Sequence, residues 1–427
     1  MGIMIQPLKQ VRGEITVSGD KSITHRAYIF SSISRSSVLI RNPNEGADVK
    51  HTLSIMQSVG AESKKSKEGT LIKGIGLKNI KEPENVLDAG NSGTTIRLLS
   101  GLFSGIKDKM FVLSGDSSLR NRPMGRIITP LRKMGGEILA RKNDTLPPLV
   151  IRGKKLKGIQ YKMPVASAQV KSAIILAALS AEGKTMIEEG VRSRNHTEIM
   201  LKAFGGRIET NKKIVVYPAE KLENDEIFVP GDFSSAAYFI ALSLIVKDAK
   251  LLIKNVGLNP TRSYLIKKLK DAGGEIKILN KREKNGETFG DIYVENSNLK
   301  GITVRKEEVP FLIDEIPLIG VLGAFAEGTT EVRGAEELRV KESDRIKLTV
   351  RNLRALGIET EEFKDGFRIT GHNIRYGHVK TAFDHRIALS FIVFGLASKK
   401  GVEIEEIDSI NISFPDFFDT LRVIKNG

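Results

Sequence analysis

The sequence predicts an α/β protein built from six repeated units, three in each of two domains, and two interleaved series of helices carry that prediction. In the first series, short amphipathic helices end at Gly60, Gly135, Gly205, Gly273 and Gly357, spaced 75, 70, 68 and 84 residues apart. A glycine just past the last apolar position gives a left-handed helix end without a Cβ penalty. The stretch 416–425, followed by Gly427, reads as a sixth member. The second series consists of Ala/Ile/Leu/Ser-rich helices without a clear polar face, over 21–31, 93–104, 168–181, 234–245, 314–326 and 384–397. Their starts step by 72, 75, 66, 80 and 70 residues, so both series keep one period. A helix apolar on all sides is buried on all sides. Each unit therefore packs one buried and one amphipathic helix against a strand layer.

The break between halves is expected in Lys221–Asp232, where the charged run Glu223–Glu226 precedes Val229-Pro230-Gly231-Asp232. The last unit ends on its helix, and the strand region 4–17 has no unit before it, so the first strand is expected to complete the last unit. That gives domains 21–229 and 1–20 plus 230–427, with a hinge where the chain crosses twice, near 18–21 and 229–232.

Composition narrows the function. The chain has 427 residues, 40% apolar and 28% charged, with 40 Gly and 14 Pro and no low-complexity tract, which fits a globular fold rather than a disordered one. Apolar stretches such as Ala388–Ala397 fall short of the roughly 20 residues a membrane helix needs. No leader pattern is visible at Met1–Gln10, so a cytoplasmic protein without membrane association is expected. There is no Cys, which removes disulfides, thiolate nucleophiles and Cys-based metal sites. Six His in no ligand-type spacing leave no expected metal or cofactor. A net charge of +16 points to an anionic partner, either nucleic acid or a multiply charged small molecule. Aromatic content of 6% with no Trp offers few platforms for stacking bases.

The starts of the buried helices carry the chemistry. Free N–H groups and the helix dipole make such positions ready for anions. Here they hold Lys21, Ser22, Arg26, Asn91, Ser92, Gly93, Thr94, Arg97, Ser167, Gln169, His385 and Arg386. Helix capping accounts for Ser and Asn. It does not account for cations at the positive end of a helix, which are unfavourable unless something negative sits among them. Two further segments stand out. Lys341, Glu342, Asp344 and Arg345 crowd one short polar run, which on its own usually reads as a solvated face or the start of a helix. Asp314 and Glu315 enter an apolar stretch, where a charge is costly unless paired or used, although Asp314 as a helix cap is the plainer alternative.

Gly19-Asp20-Lys21-Ser22 with Arg26, Ala89–Thr94 with Arg97, Arg120–Pro123, Ala166–Gln169, Ser193-Arg194, Ile313–Glu315, Arg339–Arg345 and Asp384–Arg386 follow one another along essentially the whole chain, each at a repeat junction. In this set the chain resembles the 5-enolpyruvylshikimate-3-phosphate synthase family. The resemblance implies a two-domain inside-out α/β barrel, the enolpyruvyl transferase fold, of six βαβαββ repeats. It also implies transfer of the enolpyruvyl group of phosphoenolpyruvate to the 5-hydroxyl of shikimate 3-phosphate, with release of phosphate, on the route to chorismate and the aromatic amino acids.

By the same resemblance, Lys21, Asn91, Gly93, Arg97, Arg122, Gln169, Arg345, His385 and Arg386 would bind phosphoenolpyruvate. Shikimate 3-phosphate would meet Lys21, Ser22, Arg26, Ser167, Ala168, Gln169, Ser193, Arg194, Asp314 and Lys341. Asp314 would act as base toward the hydroxyl, and Glu342 would move a proton at the methylene carbon. Lys21 would stabilise departing phosphate or share that proton traffic. The chemistry fits the charge, because two phosphates and two carboxylates call for many cations and no metal. Residues from both halves would have to close around the ligands.

Three positions depart from the family pattern. No Lys precedes the Phe414-Pro415 segment, Glu337 stands where many members have Asn, and His196 stands where many have Tyr. Arg194 would compensate at the phosphate. The sister enzyme, UDP-N-acetylglucosamine enolpyruvyl transferase, usually uses a Cys that this chain lacks. A basic nucleic-acid-binding repeat protein would gather its cations in a stripe rather than disperse them at helix starts. A monomer working on small molecules, with no nucleic acid, is the expectation.

Overall fold

The computed structural model describes residues 2–371 and 373–426. Gly427, expected to end the sixth amphipathic helix, lies outside them, and so does the side chain of Ile412 in the segment that lacks a lysine. The chain divides into two compact units, Gly19–Val229 with Glu283–Glu287, and Met1–Ser18 with Pro230–Arg282 and Thr288–Gly427. Each encloses its own apolar core.

The first-named unit holds three four-stranded sheets of one pattern, a parallel edge strand beside an antiparallel trio. In one, Glu226–Phe228 runs parallel to Ser37–Arg41, which pairs antiparallel with Gly69–Lys73, itself antiparallel to Glu62–Ser66. The sheets begun by Leu87–Asp88 and Gln160–Lys162 repeat this order. In the other unit, Arg12–Thr16 supplies the parallel strand beside Lys250–Gly257. Thr303–Val304 does the same beside Thr330–Val332. The sixth sheet has three strands, with Ile3–Ile5 antiparallel to Val402–Ile404, which lies parallel to His378–Val379.

The helix series appear where the period put them. Amphipathic helices Ala47–Ser58, Gly125–Lys133, His196–Ala203, Tyr264–Asp271 and Arg345–Ala355 each precede their glycine. Those glycines, 60, 135, 205, 273 and 357, all have positive φ between 78° and 116°, the conformation that excludes most side chains. The buried helices are Lys21–Ser32, Gly93–Ser104, Ala168–Ala178, Phe233–Ile245, Ile316–Gly323 and His385–Ala397. Close packing dictates their small residues: a Cβ on Gly101 would lie 2.1 Å from the Ala173 carbonyl oxygen of the neighbouring helix.

Several boundaries differ from expectation: the third buried helix ends at Ala178 rather than 181 and the fifth at Gly323 rather than 326, while others shift by a single residue. The fifth buried helix starts at Ile316, not 314, with Pro317 in its first turn, where a missing N–H costs no hydrogen bond. Asp314 therefore stays outside the helix and does not cap it, and Glu315 takes the cap position without a side-chain cap bond.

Candidate active site

Short polar side chains close most of the buried helix starts and fix where the next residues point. Asp20 accepts from the Ile23 N–H, Ser92 from Thr95, Ser167 from Val170, Asp232 from Ser234 and Ser235, and Asp384 from Arg386. The cations beside these caps have found protein partners.

Within the unit Gly19–Val229, Lys21 Nζ lies 3.0 Å from Asp48 Oδ2, with both side chains partly open to solvent. Gly93, Arg97, Arg122, Asn91 and Gln169 form one cluster. Arg97 Nη1 donates to Gln169 Oε1 at 2.7 Å, and Gln169 Nε2 donates to Thr94 Oγ1 at 3.0 Å. Arg122 Nη2 donates to Asn91 Oδ1 at 2.6 Å, while Asn91 Nδ2 reaches Asp116 at 2.7 Å. A Cβ on Gly93 would stand 2.6 Å from Arg97 Nη1 and 3.4 Å from Arg122 Nη1, so this glycine is what lets both guanidinium groups approach.

Arg26 is turned inward, a second turn into its helix rather than at the tip. Its Nε donates to Thr197 Oγ1 at 2.6 Å, Nη1 to the Ser22 carbonyl at 2.7 Å and Nη2 to Ser172 Oγ at 2.9 Å. Burial lowers its pKa to about 10, against the pull of Glu198. Burial, then the charges of Lys21 and Arg26, hold neighbouring His25 well below the ordinary imidazole value, and its Nδ1 pairs with Thr52 Oγ1 at 2.7 Å. Ser193 is buried against Glu189, and Arg194 is half-buried.

In the other unit, Arg345, Arg386 and Asp314 come together. Arg345 is 2% exposed and donates from Nε to Asp384 at 2.8 Å and from Nη2 to Glu342 at 2.6 Å, and its Nη1 lies 3.7 Å from Asp314 Oδ1. Arg386 Nη2 lies 3.5 Å from Asp314 Oδ2, and its Nη1 donates to the Asp314 carbonyl at 3.2 Å. Although burial opposes it, the surrounding carboxylates hold both guanidinium groups above the ordinary arginine value, with Asp384 and Glu342 acting on Arg345 and Asp314 on Arg386. Burial opposes ionisation of Asp384 as well, yet Arg345 brings its carboxyl below the usual range. His385 is buried beside them. Lys341 sits apart in its turn, 3.1 Å from Glu337.

Sequence reasoning missed several partners. Arg262, 3% exposed, donates to Ser234 Oγ at 2.8 Å and lies 3.7 Å from Asp314, 3.8 Å from Glu315 and 3.6 Å from Asp232. Asp48, Ser172 and Thr197 were also unmarked. No local pattern singles these out, because each is defined by a neighbour at least 25 residues away. His196, read as a departure, is buried with Nδ1 2.6 Å from Glu287 Oε1. Among the described residues, no group of three or more His, Asp and Glu is placed to hold a metal, and no helix is long and apolar enough to cross a membrane.

Six small sheets, five of them four-stranded with a parallel edge strand, each accompanied by a buried helix, define an α/β fold of repeated units. The comparisons agree. The family model for EPSP synthase (3-phosphoshikimate 1-carboxyvinyltransferase) matches residues 5–421. A 3-phosphoshikimate 1-carboxyvinyltransferase of Persephonella marina is 46% identical over 99% of both chains, and one of Petrotoga mobilis is 45% identical over the full length of both. The solved EPSP synthase of Acinetobacter baumannii superposes with a TM-score of 0.88 at 40% identity, covering 99% of this chain and 97% of that one. The enolpyruvyl transferase NikO of Streptomyces tendae, at 15% identity and a TM-score of 0.77, shares the fold over 99% of this chain and 97% of its own. The chain belongs to the EPSP synthase family.

Proposed function

We propose that this protein transfers the carboxyvinyl group of phosphoenolpyruvate to the 5-hydroxyl of shikimate 3-phosphate, releasing phosphate, and that it does so as a cytoplasmic monomer without nucleic acid. The observation that carries the mechanism is Asp314 held among three guanidinium groups, those of Arg262, Arg345 and Arg386. A carboxylate is the group that can accept the proton of an attacking hydroxyl, and the three arginines fix its position. Arg345 and Arg386 are then the partners for the phosphoenolpyruvate carboxylate, and Asn91, Gly93, Arg97, Arg122, Gln169 and His385 complete that set. Ser22, Arg26, Ser167, Ala168, Gln169, Ser193, Arg194 and Lys341 receive shikimate 3-phosphate.

In the first step, Asp314 takes the hydroxyl proton as the oxygen attacks the central carbon of phosphoenolpyruvate, and the methylene carbon gains a proton from Glu342, which must enter the cycle as the carboxylic acid, giving a tetrahedral adduct. In the second step, the C–O bond to phosphate breaks while the methyl carbon returns a proton to Glu342, restoring the double bond, and the proton held by Asp314 leaves with phosphate. Lys21 balances the charge on departing phosphate. At about 4 Å, each charge pair contributes on the order of 4 kcal/mol before desolvation at an effective dielectric near 20.

Incubation with both substrates should release phosphate, and omission of shikimate 3-phosphate should abolish the release. Phosphate released from phosphoenolpyruvate with UDP-N-acetylglucosamine instead would transfer the assignment to the sister activity.

A further inference from the structure

Lys171 lies two residues past Gln169, inside the Ala168–Ala178 helix, and its side chain is 1% exposed. Its ammonium meets Glu189 Oε2 at 2.9 Å and Glu198 Oε1 at 2.8 Å, both buried, and donates to the Ser193 carbonyl at 3.2 Å. An ammonium in such a place is tolerated only with full partners. These partners belong to the segments that the substrate assignment needs. Glu189 accepts from both the hydroxyl and the N–H of Ser193. Glu198 follows Thr197, whose hydroxyl receives Arg26 Nε. Ser172, next to Lys171, bonds both Arg26 and Thr197.

One buried cluster thus ties three stretches of chain, those bearing Ser167-Ala168-Gln169, Ser193-Arg194 and Arg26. Its charges balance, two cations (Lys171 and Arg26) against two carboxylates (Glu189 and Glu198). By contrast, Arg122 and Asn91 are held by hydrogen bonds to each other and to Asp116, outside the three stretches.

We propose that Lys171 is a positioning residue for the phosphorylated hydroxy acid: it fixes the spacing of the three stretches that bind shikimate 3-phosphate, whereas on the phosphoenolpyruvate side it bears only on Gln169 and, through it, Arg97. The inference rests on the substrate assignment above, and the experiment keeps the two apart. If wild-type protein releases no phosphate that depends on shikimate 3-phosphate, the assignment itself fails. In active enzyme, Lys171→Met should raise KM for shikimate 3-phosphate about tenfold or more. Its KM for phosphoenolpyruvate and kcat should stay within about threefold, and Lys171→Arg should recover most of the loss. Should Lys171→Met fail to fold by circular dichroism, Glu189→Gln, which keeps shape and removes one ion pair, should show the same split at smaller amplitude. A folded variant with unchanged KM for shikimate 3-phosphate, or with both KM values raised alike, overturns the proposal.

Discussion

At the scale of single residues, the proposed chemistry turns on Asp314 and Gly93. Replacing Asp314 by Asn removes the proton acceptor while Asp384, Glu342 and Glu315 still pair the neighbouring arginines. Asp314→Asn should therefore keep its thermal unfolding transition near that of wild type and lose about a hundredfold or more in turnover. Near-normal turnover would remove Asp314 from the mechanism. Gly93→Ala acts through space. The added methyl would stand 2.6 Å from Arg97 Nη1, and since that atom is the end of a flexible side chain, the guanidinium shifts and the fold survives. The family is the target of glyphosate, and the variant should need about tenfold or more inhibitor for half-inhibition, since the crowding falls on Arg97 and Arg122. Unchanged inhibition would show that the loop does not border the inhibitor. Residue types made Lys21, Arg97, Asp314 and Arg386 legible in the sequence, as charges placed where a helix or an apolar stretch disfavours them. Arg262 and Lys171 were not legible, because in one dimension a buried paired cation looks like any surface one.

At the scale of elements, the buried helices bring titratable groups into places water cannot follow. His25, in the Lys21–Ser32 helix, stays neutral when folded because burial and two nearby cations oppose its protonation. Unfolding exposes the ring, which then binds a proton below about pH 6.5. The unfolded state thus holds more protons than the native one in that range, so stability is full above about pH 6.5 and falls as pH drops below it. Denaturant titrations at pH 7.5 and 5.5 should show that His25→Gln, although weaker overall for losing the fit to Thr52, loses less between the two pH values than wild type does. An equal loss would take His25 out of the acid sensitivity. The helix periods were readable because burial on all sides and a left-handed end each restrict residue type at fixed positions. The start of the fifth buried helix was misplaced by two residues because Asp314 looks like a cap until Arg262, Arg345 and Arg386 are seen around it.

At the scale of the whole molecule, the units carry different parts of the proposed machinery, with Lys21, Arg97 and Arg122 in one and Asp314, Glu342 and Arg386 in the other. The hinge expected where the chain crosses twice predicts that small-angle scattering will record a smaller radius of gyration with shikimate 3-phosphate and glyphosate than without them; identical radii would argue against it. The sequence by itself determined the sixfold period, the buried and amphipathic helix of each unit, the absence of cysteine chemistry and the family, because backbone geometry and water exclusion act on residue type locally. Only the tertiary structure decided which charge meets which. The placing of Asp314 among three arginines, the turning of Arg26 inward onto Thr197 and Ser172, and the clamp of Lys171 on Glu189 and Glu198 all depend on distances between segments far apart in the chain, and an ion pair forms through space regardless of the residues that separate its partners in sequence.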